Sequence, residues 1–125
     1  MSGATLDSGA LIAFERSRRP VVALVARALE RGDTLAVPAG VVAQVWRDGG
    51  RQVRLVRLLA SDSIEVVPLD DPTARAVGQL CGVTGTTDVV DASVVLCARQ
   101  RGHRVLTSDA DDLRRIDSKI EIVAI

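Results

Sequence analysis

Five short runs rich in β-branched and apolar residues punctuate the chain, at positions 4–6, 34–37, 64–67, 104–107 and 120–125. Each reads as a strand, and Glu121 interrupts the last run as at a sheet edge. Between the strands the period lengthens to that of a helix. Val21, Val22, Leu24, Val25, Ala28 and Leu29 recur at helical spacing, and Gly32 marks the stop. Val41, Val45 and Trp46 predict a short helix ended by Gly49 and Gly50, and Val53, Val56, Leu59 and Ala60 give a further apolar stripe. Asp71 followed by Pro72 reads as an N-cap with proline at the first helical position, opening a helix lined by Thr73, Val77, Leu80 and Cys81. Residues 89–101 are apolar nearly all round as far as Arg99, which predicts a buried central helix, and a short helix over 110–116 precedes the last strand.

Alternation of strand and helix argues for an α/β fold in which a parallel sheet is flanked by helices on both faces. Crossovers in such a sheet are right-handed, and ligands bind at the carboxyl ends of the strands, beside the switch in strand order. A length of 125 residues is one domain, 1–125.

Composition then excludes several classes. With 47% apolar and 26% charged residues the chain has enough apolar surface to fold, and no run approaches the roughly 18 apolar residues of a membrane span. The first residues lack a basic n-region and carry Asp7 and Glu15 within the apolar stretch, so they do not read as an export signal, and the expected compartment is the cytoplasm. Two cysteines, Cys81 and Cys97, cannot build a disulfide framework or a four-ligand zinc site and read as small buried apolar residues. A single histidine, His103, excludes chemistry needing two imidazoles and reads as part of a turn before a strand. With no Tyr, one Phe and one Trp, aromatic platforms for stacking bases are almost absent. The net charge of zero conceals an asymmetry: nine arginines face five acids in residues 1–60, and seven basic residues face eleven acids in 61–125.

The candidate chemistry lies in where the aspartates fall. Asp7 follows the first strand, Asp109 follows the fourth, and Asp88 and Asp91 open the central helix that leads into the fourth, with Asp111 and Asp112 close by. If strands one and four are neighbours, these carboxylates meet at one end of the sheet. Clustered carboxylates repel one another unless protonated or neutralised by a cation. An all-oxygen set without His or Cys points to Mg²⁺ or Mn²⁺ rather than zinc, and to phosphodiester hydrolysis rather than acyl transfer. The bland alternative is helix capping, since Asp88 with Asp91, and Asp109 with Asp112, have capping-box spacing and Asp7 stands before a helix starting near Ser8.

Three segments carry a resemblance. Leu6-Asp7-Ser8-Gly9-Ala10-Leu11-Ile12-Ala13, Thr87-Asp88-Val89-Val90-Asp91-Ala92 and Val105-Leu106-Thr107-Ser108-Asp109-Ala110-Asp111-Asp112-Leu113 resemble, in order and spacing, the acidic motifs of PIN domains, and most closely those of VapC-type toxins of toxin–antitoxin pairs. The resemblance spans essentially the whole chain. It implies a five-stranded sheet of order 3-2-1-4-5, Mg²⁺-dependent endoribonuclease activity with Mn²⁺ as a substitute, RNA as substrate, a homodimer, and a VapB-type antitoxin lying over the active-site groove. By position it implies that Asp7, Asp91 and Asp109 are the catalytic, metal-binding carboxylates and that Asp111 is an auxiliary ligand. Asp91, directly before Ala92, matches the motif better than Asp88, which joins Thr107 as an auxiliary residue; Thr107 reads equally as a β-branched strand end. The chain departs from the family at Gln44, where a Glu is usual. An amide keeps an oxygen donor but drops a charge and cannot act as a base.

Arg51, Arg54 and Arg57, spaced by three, read as an arc of one helix face opposite Val53 and Val56, with Arg47 just before them. They suit RNA phosphates or acidic groups of an antitoxin, or form a solvated face. Trp46 fits an interface anchor or a core position. Two rival readings accompany the nuclease: a catalytically weak PIN-like binding module, motivated by Gln44, and a phospho-acceptor receiver domain, for which Asp70 and Lys119 are poorly placed.

Overall fold

The computed structural model describes residues 3–125; Met1 and Ser2 lie outside the described residues. Strands β1 (Gly3–Leu6), β2 (Thr34–Pro38), β3 (Ile64–Val67), β4 (Arg104–Thr107) and β5 (Ile122–Ala124) alternate with helices α1 (Ser8–Glu15), α2 (Arg19–Glu30), α3 (Ala39–Val45), α4 (Val53–Leu59), α5 (Asp71–Thr84), α6 (Val89–Arg101) and α7 (Ala110–Ile116). The strands form one parallel sheet of order β3-β2-β1-β4-β5. The chain therefore steps outward from β1 to β3, then returns to the other side of β1 for β4. That reversal leaves a crevice at the carboxyl ends of β1 and β4, where open parallel sheets bind ligands.

The middle strands are apolar on both faces because helices cover both. Leu6, Leu35, Val37 and Val105 are all buried, as are Val94 and Val95 on α6. Each contributes roughly 1.5–3 kcal/mol of apolar burial. As expected, α6 is the central helix; six of its side chains are buried, and it packs on β1, β2 and β4 as well as on α3, α5 and α7. Among the described residues no single helix is long and apolar enough to cross a membrane.

Local expectations shift in three places. The cap of α5 is Asp70, whose Oδ1 accepts from the Thr73 amide at 3.0 Å, and Pro72 takes the second helical position, where its missing N–H still costs nothing. On α4 the buried stripe is Leu55 and Leu58, whereas Val53 is half exposed. The phase is set by the preceding turn: buried Gln52 accepts from the Arg47 and Asp48 amides at 2.8 and 2.9 Å and donates to the Val45 carbonyl at 2.9 Å. That turn also leaves Arg51 outside the helix, paired with Asp48, so the three arginines form no arc of one helix. Finally, α3 ends at Trp46, three residues before the glycines; the Arg47 guanidinium donates to the freed Ala43 and Trp46 carbonyls at 3.1 and 2.7 Å. The Trp46 indole lies against Gly49 and remains 41% exposed, outside the core.

Candidate active site

The site is built by strand ends. β1 and β4 pair in register, Leu6 beside Leu106, and the Asp7 amide continues the ladder to the Leu106 carbonyl at 3.3 Å. Asp7 is thereby fixed next to Thr107. Its Oδ1 accepts from the Ala10 amide at 2.9 Å, so it caps α1 while lying buried at the crevice. Asp88 caps α6 through the Asp91 amide, also at 2.9 Å. Asp109 stands at the N-cap position of α7 but its side chain caps nothing; its amide donates to the Thr107 hydroxyl at 2.8 Å. Capping thus accounts for Asp7 and Asp88 but not for Asp109.

These elements enclose a cleft of about 320 Å³ lined by Asp7, Gln44, Asp88, Asp91, Asp109 and Asp112, with Ser8, Gly9 and Ser108 between them. Two placements differ from the sequence reading. Asp112, rather than Asp111, faces the cleft, and Asp111 is exposed outside its lining. In the first turn of a helix the third position points back toward the cap, and Asp112 is three residues beyond Asp109. That spacing was the sequence signal for Asp112. Neither Trp46 nor any of Arg47, Arg51 and Arg54 lines this cleft; Arg54 instead stacks on Phe14, 5.3 Å from the ring centre. Thr107 is fully buried beneath it. Gln44 is present, with its Oε1 accepting from the Ser8 hydroxyl. Gly9 carries no periodic signal in the sequence; a Cβ there would take the place of the Ser108 hydroxyl, which would have to turn away.

The electrostatics are those of crowded acids. Burial pushes the Asp7 carboxyl above its ordinary range, opposed by the Thr107 hydroxyl and by the amides of Ala10 and Gly9. Asp91 is pushed up to about 7, first by burial and then by the charge of Asp88, with Asp112 and Asp109 adding to it. Asp109 is raised by its hydrogen bond to Asp112, by burial and by the charges of Asp112, Asp7 and Asp111. No basic side chain lines the cleft among the described residues. Five crowded aspartates, one of which (Asp112) meets Arg115 at 3.2 Å, present oxygen donors only and fit a hard divalent cation such as Mg²⁺ or Mn²⁺. As they stand, no three acidic, histidine or cysteine side chains of the described residues converge closely enough to hold an ion outright. A cation would have to draw in carboxylates that otherwise repel.

An open parallel sheet with its acid cleft at the carboxyl edge is an α/β domain with a candidate ligand site where such sheets carry one. The PIN domain family model matches residues 4–119, and the chain belongs to that family, whose members are generally nucleases. Solved structures share the fold. VapBC2 from Rickettsia felis, bound to a DNA fragment from its promoter, aligns with a TM-score of 0.71 at 13% identity, covering 98% of each chain. FitAcB from Neisseria gonorrhoeae aligns at 0.62 with 20% identity over 95% of each chain. FitAB bound to an IR36 DNA fragment aligns at 0.63 with 20% identity, over 97% of this chain and 94% of that one. No curated protein sequence matches.

Proposed function

We propose that this protein is a Mg²⁺-dependent endoribonuclease and the toxin of a toxin–antitoxin pair, acting in the cytoplasm as a homodimer and neutralised by a VapB-type antitoxin. The observation that carries the reading is the carboxyl-edge cleft, which gathers Asp7, Asp91, Asp109 and Asp112 with no basic side chain in its lining among the described residues. Family membership supports nuclease chemistry. The antitoxin partner is supported by fold-level neighbours that were solved as VapBC and FitAB complexes.

In this reading Asp7, Asp91 and Asp109 hold the cation, and Asp112, which lines the cleft where Asp111 does not, takes the auxiliary part. The ion, when bound, supplies the positive charge that steadies a phosphoryl oxygen and eases ionisation of water. The chain supplies position. The Thr107 hydroxyl holds the Asp109 turn and favours the charged form of Asp7, and the α1 cap at the Ala10 amide fixes the Asp7 rotamer. Trp46, half exposed beside the arginine-bearing turn, is a candidate contact for antitoxin or a second copy.

A second reading, a binding module of weak or no activity, is favoured by one residue: Gln44 lies in the cleft and offers an amide where the family usually has a carboxylate. Incubating purified protein with structured RNA and Mg²⁺ or Mn²⁺ separates the two. Cleavage by the wild type and none by Asp7→Asn supports the enzyme. Binding without cleavage, unchanged in Asp7→Asn, supports the module.

A further inference from the structure

The acid cleft is made almost wholly of acceptors. Its aspartates, once ionised around a cation, can only accept hydrogen bonds. A phosphodiester brings further acceptors in its non-bridging oxygens. No Arg, Lys or His lines the cleft among the described residues, so a side chain that donates to such an oxygen from the lining has to be neutral. The lining holds three neutral donors: Ser8, Gln44 and Ser108.

These three are not equivalent. The Ser8 hydroxyl donates to Gln44 Oε1, which commits its one hydrogen. That bond ties the first residue of α1 to the last turn of α3, two helices that pack together. It also decides which way the amide faces. With Oε1 turned to Ser8, the Nε2 group is turned away from it, and Nε2 makes no hydrogen bond among the described residues. Gln52 shows the contrast. Its Nε2 is taken up by Glu15 Oε1 at 3.1 Å and by the Val45 carbonyl at 2.9 Å. Gln44 is exposed as well as cleft-lining, so its two N–H donors are open to a ligand. The Ser108 hydroxyl, which fills the space a side chain at Gly9 would take, offers a single hydrogen and has no partner to fix its direction among the described residues.

We propose that Gln44 is a substrate-binding residue whose Nε2 donates to a non-bridging oxygen of the RNA phosphate in the cleft, with Ser8 as the positioning residue that holds the amide in this sense. This rests on the nuclease reading and adds the group that grips the phosphate. Residue 44 is then not a weakened metal ligand. Ligation of a cation would use Oε1, the atom that Ser8 already engages, whereas the free half of the amide supplies what the acids lack. A carboxylate here would repel the phosphate and add to the crowding that already pushes Asp91 up to about 7. A neutral donor does neither.

The test reads the side-chain amide signals in the nitrogen–proton correlation spectrum of the full-length wild-type protein. The sequence has no Asn and four Gln, at 44, 52, 79 and 100, so each NH₂ pair is resolvable and Gln44→Leu identifies the one that matters. The probe is a mixed-sequence 12-nucleotide single-stranded RNA, with Ca²⁺ in place of Mg²⁺ to slow turnover. The Gln44 pair should move downfield when RNA is added and stay in place with Ca²⁺ alone, while the pairs of Gln79 and Gln100 do not move. In fluorescence anisotropy at saturating Ca²⁺, Gln44→Leu and Gln44→Glu should each weaken RNA binding by about ten- to a hundredfold, the range for a hydrogen bond to a charged acceptor. Ser8→Ala should give a smaller loss, because the amide then turns freely. Mn²⁺ affinity should be unchanged in Gln44→Leu. Backbone signals that match the wild type outside the cleft show that the variants are folded. A Gln44 pair that stays put while RNA binds overturns the proposal, as does wild-type RNA affinity in Gln44→Glu. Loss of Mn²⁺ affinity in Gln44→Leu with RNA affinity kept makes residue 44 a metal ligand and also overturns it. Failure of the nuclease reading looks different: the wild-type protein with Mg²⁺ cuts no RNA, wherever the Gln44 signal lies.

Discussion

The two edges of the same sheet are built from the same strands and differ in almost everything else. At the amino edge a pocket of about 260 Å³ is lined by Arg27, Arg31, Asp33 and Arg104 among apolar residues. Its one acid is answered, since Arg31 donates to Asp33 Oδ2 through Nε at 3.1 Å and Nη2 at 2.9 Å. At the carboxyl edge five aspartates crowd a cleft with no basic side chain in its lining among the described residues. The amino edge is an ordinary solvated rim, where ion pairs contribute little. The carboxyl edge holds repulsion in the folded state, which a structure selected for stability alone would relieve. The contrast marks the carboxyl edge as the candidate site independently of any relative.

The largest expected effect comes from removing one charge at the carboxyl edge. Asp7→Asn keeps an oxygen to cap α1, so circular dichroism should be unchanged, while RNA cleavage with Mg²⁺ should fall by at least about 1000-fold, about 4 kcal/mol of barrier. Retained activity in a folded Asp7→Asn would remove the distinction between the edges.

Two buried threonines sharpen it next. Thr5 and Thr107 are both inaccessible to solvent. The Thr5 hydroxyl pairs with His103 Nδ1 at 3.1 Å within the sheet, whereas that of Thr107 serves the Asp109 amide and Asp7. Replacing either by Val should cost about 1–2 kcal/mol of stability in chemical denaturation. Only Thr107→Val should also slow cleavage, by about 10- to 100-fold, with Thr107→Ser restoring most of it. Equal kinetic losses from both would mean that the Thr107 effect is stability alone.

How much of this was readable beforehand depends on range. Strand runs, the α6 core helix and the order of the acids are written in local periodicity, and the acids fall at strand ends that topology must bring together. That Asp112 lines the cleft and Asp111 does not is hidden by adjacency in sequence, which does not show which side chain turns back over the helix start. The α4 stripe falls on Leu55 and Leu58 rather than on Val53 and Val56 because Gln52 fixes that turn through contacts with Val45, Arg47 and Asp48 that periodicity does not encode. Gly9 and Ser17 carried no local signal either; one is explained by Ser108 across the crevice and the other by a backbone angle.

A smaller effect tests the departure at Gln44. Gln44→Glu adds a carboxylate to the cleft while preserving an acceptor for the Ser8 hydroxyl. Affinity for Mn²⁺, followed by titration calorimetry, should rise about tenfold, about 1.4 kcal/mol. No change would place residue 44 outside the coordination shell.

The smallest effect is in stability against pH without added metal. Asp91 has its folded pKa raised to about 7, far above that of an unfolded aspartate. The native state then holds more protons than the unfolded state between about pH 4 and 7, so this group makes stability fall as pH rises through that window. Glu65, Asp70 and Asp117 are lowered by hydrogen bonds, chiefly to Arg101, Thr73 and Arg99, and their contribution is already complete above the ordinary carboxylate range. His103, lowered by burial and by Arg101, gives the opposite slope near its ordinary value. The informative quantity is therefore the difference between wild type and Asp91→Asn. Thermal melts should show the variant gaining on the wild type as pH rises from 5 to 8, by about 1 kcal/mol once solvent screening at this half-buried group is discounted. Adding Mg²⁺ should close the gap by stabilising only the wild type, because a cation bound to the ionised cleft relieves the repulsion that the amide removes by other means. A difference that is flat with pH would mean that the carboxyl edge carries no stored repulsion and that its acids are no different in kind from Asp33 at the other end of the sheet.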